Sequence, residues 1–281
     1  MKPKKRTLLT LLVTYPDVSS GAVAAGAVRI ARHLGADLHA LAINVDIPNI
    51  SNALSGLLMK LPELIRDAEQ RSRESGAALL ATMKQAATAR KIAVETQVVT
   101  VAPDRFGDVA AEQARYHDMS IIGWQAGETA ERMVAEGLVF GSGRPVIVVP
   151  DAVPVKGIDH IVIAWDGSRS AARAVADAQP FLETAKKITV LTVLDEKPLR
   201  ERDMAEHLTG MLVKKGLPAT SHAIEAEDCP IGETLQEEAL VLGADLLVMG
   251  GYGHSRLRDF VLGGATDGIL GDLQLPVLLS H

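Results

Sequence analysis

The second half of the chain carries glycines at the spacing that a phosphate-binding backbone needs. The apolar run Leu246–Met249 leads into Gly250-Gly251-Tyr252-Gly253, and after nine further residues comes Gly263-Gly264-Ala265-Thr266. Glycine lets the backbone approach a phosphate closely, and the unpaired N–H groups at a helix start carry partial positive charge. A polyphosphate is therefore the predicted ligand, and a tight loop that only caps a helix is the alternative. The candidate positions are Gly250, Gly253, Gly263, Gly264, Ala265 and Thr266.

This segment lacks residues that the P-loop, the dinucleotide fingerprint and the hydrolase nucleophile motif each require. A P-loop would need a Lys and a Ser or Thr after its last glycine, and the dinucleotide fingerprint would need a third glycine at Arg256. Ser255 follows a strand as a hydrolase nucleophile does, but the last glycine of that motif is missing and only His281 lies downstream as a base. No catalytic residue is predicted, and turnover is not expected beyond slow hydrolysis.

Composition narrows the class of partner. The 281 residues are 47% hydrophobic, which suits two domains that each bury a core, and the net charge is -6 without a dense basic run. Nucleic acid and membrane surfaces are not predicted as partners, because both attract clustered Lys and Arg. Cys229 is the only cysteine and the eight histidines form no HxxxH or HxH pair, so no metal site is predicted. The short apolar run Leu8–Val13 is interpreted as a buried strand rather than a secretory signal, which favours the cytoplasm.

A repeated order of elements divides the chain into two halves. In the second half, strands are predicted at 160–164, 188–194, 219–226, 245–249 and 276–279, and helices at 170–182, 199–215 and 230–243. In the first half, strands are predicted at 8–13, 37–45, 93–99, 119–122 and 145–149, and helices at 20–34, 62–91 and from 105 onward. With a helix before each last strand, both halves follow the order β-α-β-α-β-α-β-α-β.

Strands in this order must cross over through helices, so each half is predicted to be an α/β domain with a parallel sheet covered on both faces. The predicted domains are residues 1–150 and 151–281, with a linker at 150–157. Ligands of such sheets bind beyond the carboxyl ends of the strands, where the strand order reverses. Asp166 and the pair Met249-Gly250 both stand at such strand ends.

The spacing of Gly250, Gly253 and Gly263, between a strand and a last strand that opens with Pro276, resembles the universal stress protein family. The duplicated layout is similar to that of its bacterial tandem members, and only the second half carries the motif. The resemblance implies two open sheets of strand order 3-2-1-4-5 whose fifth strands pair as an internal pseudo-dimer. It also implies a regulatory stress-response role, ATP or a related adenine nucleotide as cofactor, and unidentified proteins or a second copy of the chain as partners.

Roles for individual residues follow from the same resemblance. In ATP-binding members, the positions that match Asp166 and the backbone of Val193 hold adenine, and the glycine positions above hold ribose and phosphates. The family has Ser or Thr directly after the third motif glycine, where this chain has Gly264. The lost hydroxyl contact would weaken affinity by up to about tenfold. Trp165 would either stack on the base or fill the space meant for it.

The first half departs from the pattern. Trp124 replaces a small residue after the fourth strand, Gly141 follows Gly127 after thirteen residues, and Tyr15-Pro16-Asp17 stands where the second half has Asp-Gly-Ser. This half is predicted not to bind ATP in the manner of the family. The segment 141–144 is interpreted as a helix cap, with an anion site as the alternative.

Two other functions stay open on the sequence. One is a nucleotide-free scaffold for protein interactions that uses the fold only as a rigid body. The other is a slow ATP hydrolase or self-phosphorylating protein, with Ser255 or Thr266 as the acceptor.

Overall fold

The computed structural model describes residues 5–48, 61–151, 153–155, 157–194, 203–225, 229–251 and 264–281. The first half contains β1 Thr7–Val13, α1 Ala22–Leu34, β2 Asp37–Val45, α2 Leu61–Ala89, β3 Val94–Val101, α3 Phe106–Ala114, β4 Met119–Trp124, α4 Thr129–Gly141 and β5 Val146–Pro150. The second half contains β6 His160–Ala164, α5 Arg169–Asp177, α6 Gln179–Leu182, β7 Lys187–Leu194, α7 Met204–Lys214, β8 Ala219–Glu225, α8 Ile231–Val241, β9 Leu246–Gly250, α9 Gly264–Gly271 and β10 Val277–Ser280.

The chain forms two compact units whose limits differ slightly from the two halves. The first unit runs to Gly123 and includes Glu128–Ser142, and the second contains Trp124–Gly127 and everything from Gly143 onward. The fifth strand of the first half, β5, therefore lies in the second unit.

In the first unit, parallel strands are ordered β3-β2-β1-β4. The register places Leu8 of β1 beside Leu38 of β2 and Met119 of β4. Strand β1 is apolar at nearly every position and buried from Leu8 onward, as a central strand covered on both faces must be. The prediction of a strand at 8–13 is thus confirmed.

In the second unit, the strands are ordered β5-β10-β9-β6-β7-β8. When β6 to β10 are numbered 1 to 5 and the sheet is followed from β8 to β10, the order is 3-2-1-4-5. All neighbouring strands among these five run parallel. Strand β5 runs antiparallel to β10, with Val148 opposite Val277. The strand order and the pairing of the two fifth strands are confirmed.

One predicted helix is interrupted. The apolar spacing predicts a single helix over 170–182, but the structure ends α5 at Asp177 and begins α6 at Gln179. Pro180 accounts for the break, because proline has no N–H to donate and its ring clashes with the preceding helical turn. The strands predicted at 37–45 and 160–164 have the observed bounds.

Within the described ranges, no helix combines the length and the apolar character that crossing a membrane requires.

Candidate functional site

The turn after β6 fixes a carboxylate at the carboxyl edge of the second-unit sheet. Asp166 is exposed, and its Oδ1 accepts a hydrogen bond from the backbone N–H of Ser168 at 2.9 Å. Gly167 between them has φ +70°, a left-handed conformation that residues with a Cβ rarely adopt. A Cβ there would also stand 2.7 Å from Sδ of Met204. The Ser168 hydrogen bond therefore orients the Asp166 carboxylate, and the turn requires glycine at position 167.

The same turn starts helix α5. Ser168 is the N-cap residue, and its Oγ accepts from the N–H of Ala171 at 3.1 Å. Its hydroxyl also lies 3.1 Å from Oγ of Ser170. This cap satisfies one of the helix donors that would otherwise be unpaired. The predicted turn with a capping hydroxyl is thereby confirmed.

Gly250, the last residue of β9, packs directly on the first turn of α5. A Cβ at Gly250 would stand 2.6 Å from the backbone nitrogen of Ala171 and 2.6 Å from Oγ of Ser170. Such separations are shorter than real Cβ contacts, so only glycine fits without a shift of the backbone. The glycine type at this position therefore has a packing cause, independent of any phosphate.

The segment after β9 is tied to the last strand. The N–H of Gly251 donates to the carbonyl of Ser280 at 2.8 Å, and Nδ1 of His281 lies 3.0 Å from the carbonyl of Gly251. Met249 is 4% exposed, so its side chain belongs to the core. Met249 and Gly250 can thus contribute to a ligand site through their backbone.

Strand β7 brings Val193 to the same edge as Asp166. The register pairs Ala164 with Leu191, and two residues further along each chain stand Asp166 and Val193. The hydroxyl of Thr192 donates to the carbonyl of Trp165 at 2.9 Å, which anchors the turn to β7. The side chain of Val193 is buried. Asp166, Val193 and Gly250 therefore occupy the ends of three neighbouring strands.

Helix α9 supplies the remaining described candidates. Thr266 is 2% exposed, which disfavours it as a phosphate acceptor, and the carbonyl of Ala265 lies against Gly232 of α8. Gly264 is the first described residue of α9. Gly253, Gly263 and the rest of the predicted glycine loop, 252–263, lie outside the described residues.

Two residues of this region were missed at the sequence level. Gln236 of α8 holds the end of α9, since its Nε2 donates to the carbonyl of Asp272 at 2.6 Å and its Oε1 accepts from the N–H of Gln274 at 3.0 Å. Gln236 falls with Gly232, Leu235 and Ala239 on the buried stripe of α8, so helical spacing could have identified it. No local signal connects Met204 with Gly167, which is 37 residues away.

The carboxyl edge of the first unit is filled by its own side chains. Thr14, just after β1, donates its hydroxyl to the carbonyl of Ile43 at 2.8 Å and lies 2.6 Å from Oγ of Ser72 on α2. The Ser72 hydroxyl also accepts from the N–H of Val45 at 2.9 Å. At the start of α4, the hydrogen bond with Asp17, followed by desolvation and charge repulsion, raises the pKa of Glu128.

The first half contains a glycine at the nine-residue interval of the second-half motif. This glycine is Gly137, which follows Gly127 after nine residues and precedes Gly141. It lies inside α4, and a Cβ there would stand 2.6 Å from Cα of Gly107 on α3. Helix packing therefore explains this glycine.

The segment 141–144 ends a helix, as the capping interpretation predicts. Arg115 donates through its guanidinium to the carbonyl of Gly141 at 3.1 Å, and Ser142 is the C-cap of α4. A helix C-terminus carries partial negative charge, which disfavours an anion there.

Trp124 is buried and donates its indole N–H to the carbonyl of Leu270 in α9 at 2.6 Å.

A groove of about 490 Å³ lies between β8 and α8. Its lining consists of Ile224, Glu225, Cys229, Thr234, Glu237, Glu238 and Val241. Glutamates dominate its charge, which would repel a polyphosphate. Among the described residues, no group of three or more His, Cys, Asp or Glu is arranged to hold a metal ion.

Comparisons with known proteins agree with this architecture. The universal stress protein family model matches residues 157–281. The fold is similar to that of a universal stress protein from Archaeoglobus fulgidus DSM 4304, at 15% identity and a TM-score of 0.65 over 97% of this chain and 95% of that chain. It is also similar to a protein from Pseudomonas aeruginosa UCBPP-PA14 described as a universal stress protein, at 18% identity and 0.58 over 98% and 93%. No curated protein matches the chain.

Proposed function

The chain belongs to the universal stress protein family through residues 157–281, and from that premise we propose that its second half binds ATP or a related adenine nucleotide. The bound nucleotide serves a regulatory role that is exerted through protein contacts. The observation that carries the proposal is the exposed carboxylate of Asp166, oriented by Ser168 at the carboxyl edge of the sheet, where β6 lies beside β9.

Asp166 has the chemistry to select adenine. One carboxylate oxygen is engaged by Ser168, and the other accepts a hydrogen bond from the 6-amino group of the base. The backbone of Val193, one residue before the end of β7 at the same edge, completes the contact with the ring. Hypoxanthine lacks the 6-amino group, so ITP binds more weakly than ATP at this position.

We place the phosphates beyond the carboxyl ends of β6 and β9. This is the strand-order reversal of the sheet, because β6 has β9 on one side and β7 on the other. Gly253, Gly263 and Gly264 are the proposed phosphate ligands, with Ala265 and Thr266 behind them. The buried Thr266 contributes by orienting the backbone of α9.

The experiment that tests base recognition uses a substitution that preserves the turn. In Asp166→Asn, the amide oxygen still accepts from Ser168, but an NH₂ donor replaces the oxygen that faces the base. Calorimetric titration of this variant should show an ATP affinity roughly ten- to a hundredfold lower, whereas ITP affinity should rise because the NH₂ group can donate to the 6-carbonyl oxygen of hypoxanthine.

Asp17→Asn, in the corresponding turn of the first half, is the matched control and should bind ATP as the parent protein does. Thermal melting of both variants checks that the fold is intact. Equal loss of ATP and ITP affinity in Asp166→Asn would remove base recognition from Asp166. Unchanged ATP affinity would place the nucleotide elsewhere.

We also propose a cytoplasmic location. The apolar run at 8–13 is the buried central strand β1, so it is part of the folded core rather than a segment free to serve as an export signal.

A further inference from the structure

At the carboxyl end of β1, a buried acid occupies the crevice of the first unit. Glu131 stands in the first turn of α4 and is 5% exposed. Its Oε1 accepts a hydrogen bond at 3.2 Å from Oγ of Ser19, which is itself buried in the loop that follows β1. The carboxyl group therefore bridges the loop after the first strand and the helix after the fourth.

Backbone contacts fix Ser19 in this position. Its Oγ accepts from the N–H of Val13 at 3.0 Å, and its own N–H donates to the carbonyl of Val13 at 2.9 Å. Because β1 and β4 are neighbours in the sheet, Glu131 lies where the strand order of this unit reverses. In sheets of this class, that is the place where ligands bind.

Electrostatics favour an acid at this position. The start of a helix carries partial positive charge, and an anionic side chain in the first turn stabilises it. A phosphate that entered the same crevice would meet the Glu131 carboxyl, one turn from Glu128, the N-cap residue of α4 that is hydrogen-bonded to Asp17. Repulsion between these like charges disfavours a second anion.

We propose that Glu131 is the resident anion of the first unit, an internal group that fills the anion position of the crevice and confines nucleotide binding to the second unit. The confinement rests on the proposed function of the second unit, whereas the resident-anion role does not. Glu131 is thus the residue that separates the binding properties of the two halves.

Chemical rescue tests this role directly. Glu131→Ala removes the atoms of an acetate ion from the crevice and should lower the melting temperature by about 3–10 °C. Sodium acetate should then raise the melting temperature of this variant in a saturable manner, whereas sodium chloride at equal ionic strength should not. Inorganic phosphate should rescue less than acetate, because it is larger than the space vacated.

Two variants keep the test specific. Glu131→Gln retains the volume but not the charge, so it should be destabilised and should not respond to acetate. Glu136→Ala removes another partly exposed acid of α4, which pairs with Arg132, and should respond equally to acetate and chloride. The resident-anion role is overturned if Glu131→Ala melts as the parent does, or if acetate and chloride act alike on this variant. If Glu131→Ala fails to fold, Glu131→Gln decides: an acetate response or full stability of Glu131→Gln overturns the role.

The nucleotide arm is read separately. In the parent protein, ATP should bind at one equivalent per chain, and the acetate response of Glu131→Ala should be the same with and without ATP. Absence of ATP binding by the parent would overturn the proposed function and leave the rescue result standing. Two equivalents of ATP in the parent would overturn the confinement of nucleotide to the second unit.

Discussion

At the end of β9, Gly250 belongs both to the predicted phosphate-binding motif and to a packing contact with α5. The family resemblance gives this position to ribose and phosphates, and a Cβ there would stand against the backbone nitrogen of Ala171 and the hydroxyl of Ser170. The sequence pattern predicts phosphate binding, with a tight loop that caps a helix as the alternative. The structure shows that the first glycine of the motif is required by the sheet-to-helix contact, which would be needed even without a ligand.

Substituting this glycine should therefore destabilise the fold. Gly250→Ala should lower the free energy of unfolding by about 1–3 kcal/mol, because the added methyl group forces β9 and α5 apart. Gly210→Ala, on α7 where a Cβ meets open space, should raise it by up to about 1 kcal/mol. Urea unfolding of both variants without nucleotide checks this, and equal stability of the two would contradict the packing argument.

Some site residues could be predicted from the sequence and others could not. Asp166, Gly167 and Ser168 form a local motif, so their turn and cap are encoded within three residues and were predicted correctly. Met204 reaches Gly167 from another element, and no periodicity reports such a contact. Glu131 was overlooked for a related reason, since its partner Ser19 is 112 residues away.

Among the elements, α8 acts as the support of α9. Gly232 lets the two helices touch near Ala265, and Gln236 holds the backbone on both sides of residue 273, where α9 leads to β10. The position of α9 therefore depends on a helix that carries none of the proposed ligand residues.

Removing the Gln236 side chain should loosen α9 selectively. Gln236→Ala leaves the carbonyl of Asp272 and the N–H of Gln274 without this partner, at a cost of about 1–3 kcal/mol. Hydrogen exchange should accelerate in 264–275 more than in β6 or β7. Glu237→Ala, exposed on the same helix, is the control. Equal exchange in the two variants would show that Gln236 does not hold α9.

Element bounds were predicted well where the chain alternates cleanly between apolar strands and amphipathic helices. Strands β2 and β6 match their predictions because an apolar run and flanking polar residues define both ends. For α4, a helix is predicted before the last strand without bounds, because the glycines of this segment were compared with the second-half loop motif and not with a helix. Gly137, inside α4, serves contact with α3 rather than a loop.

For the whole molecule, we propose that the two halves, 1–150 and 151–281, are domains in the evolutionary sense. The compact units have different limits, because one strand of the first half lies in the second unit. The fifth strand of the first half, β5, belongs to the second unit, where it covers the edge of β10. All four residues of β10 are buried, so an uncovered β10 would present an apolar edge.

Two fragments of the chain test this assignment. Residues 143–281 retain β5, whereas residues 151–281 lack it. The shorter fragment should self-associate and melt at a lower temperature, and the longer one should remain monomeric. Light scattering and circular dichroism measure both properties. Monomeric fragments of equal stability would show that β5 is dispensable to the second unit.

The two halves also differ in what their carboxyl edges offer. The second presents an exposed Asp166 oriented by Ser168, and the first is closed by the hydrogen-bonded side chains of Thr14, Ser72 and Glu131. Because hydrogen-bonded polar side chains are costly to separate, the first crevice does not open for a ligand without loss of stability. We therefore propose one nucleotide site in each chain.

Calorimetric titration of the parent protein with ATP tests that assignment most directly. We predict saturable binding at one equivalent per chain within millimolar ATP, with ATP binding more tightly than ITP. No binding at millimolar ATP, or binding at two equivalents per chain, would contradict it.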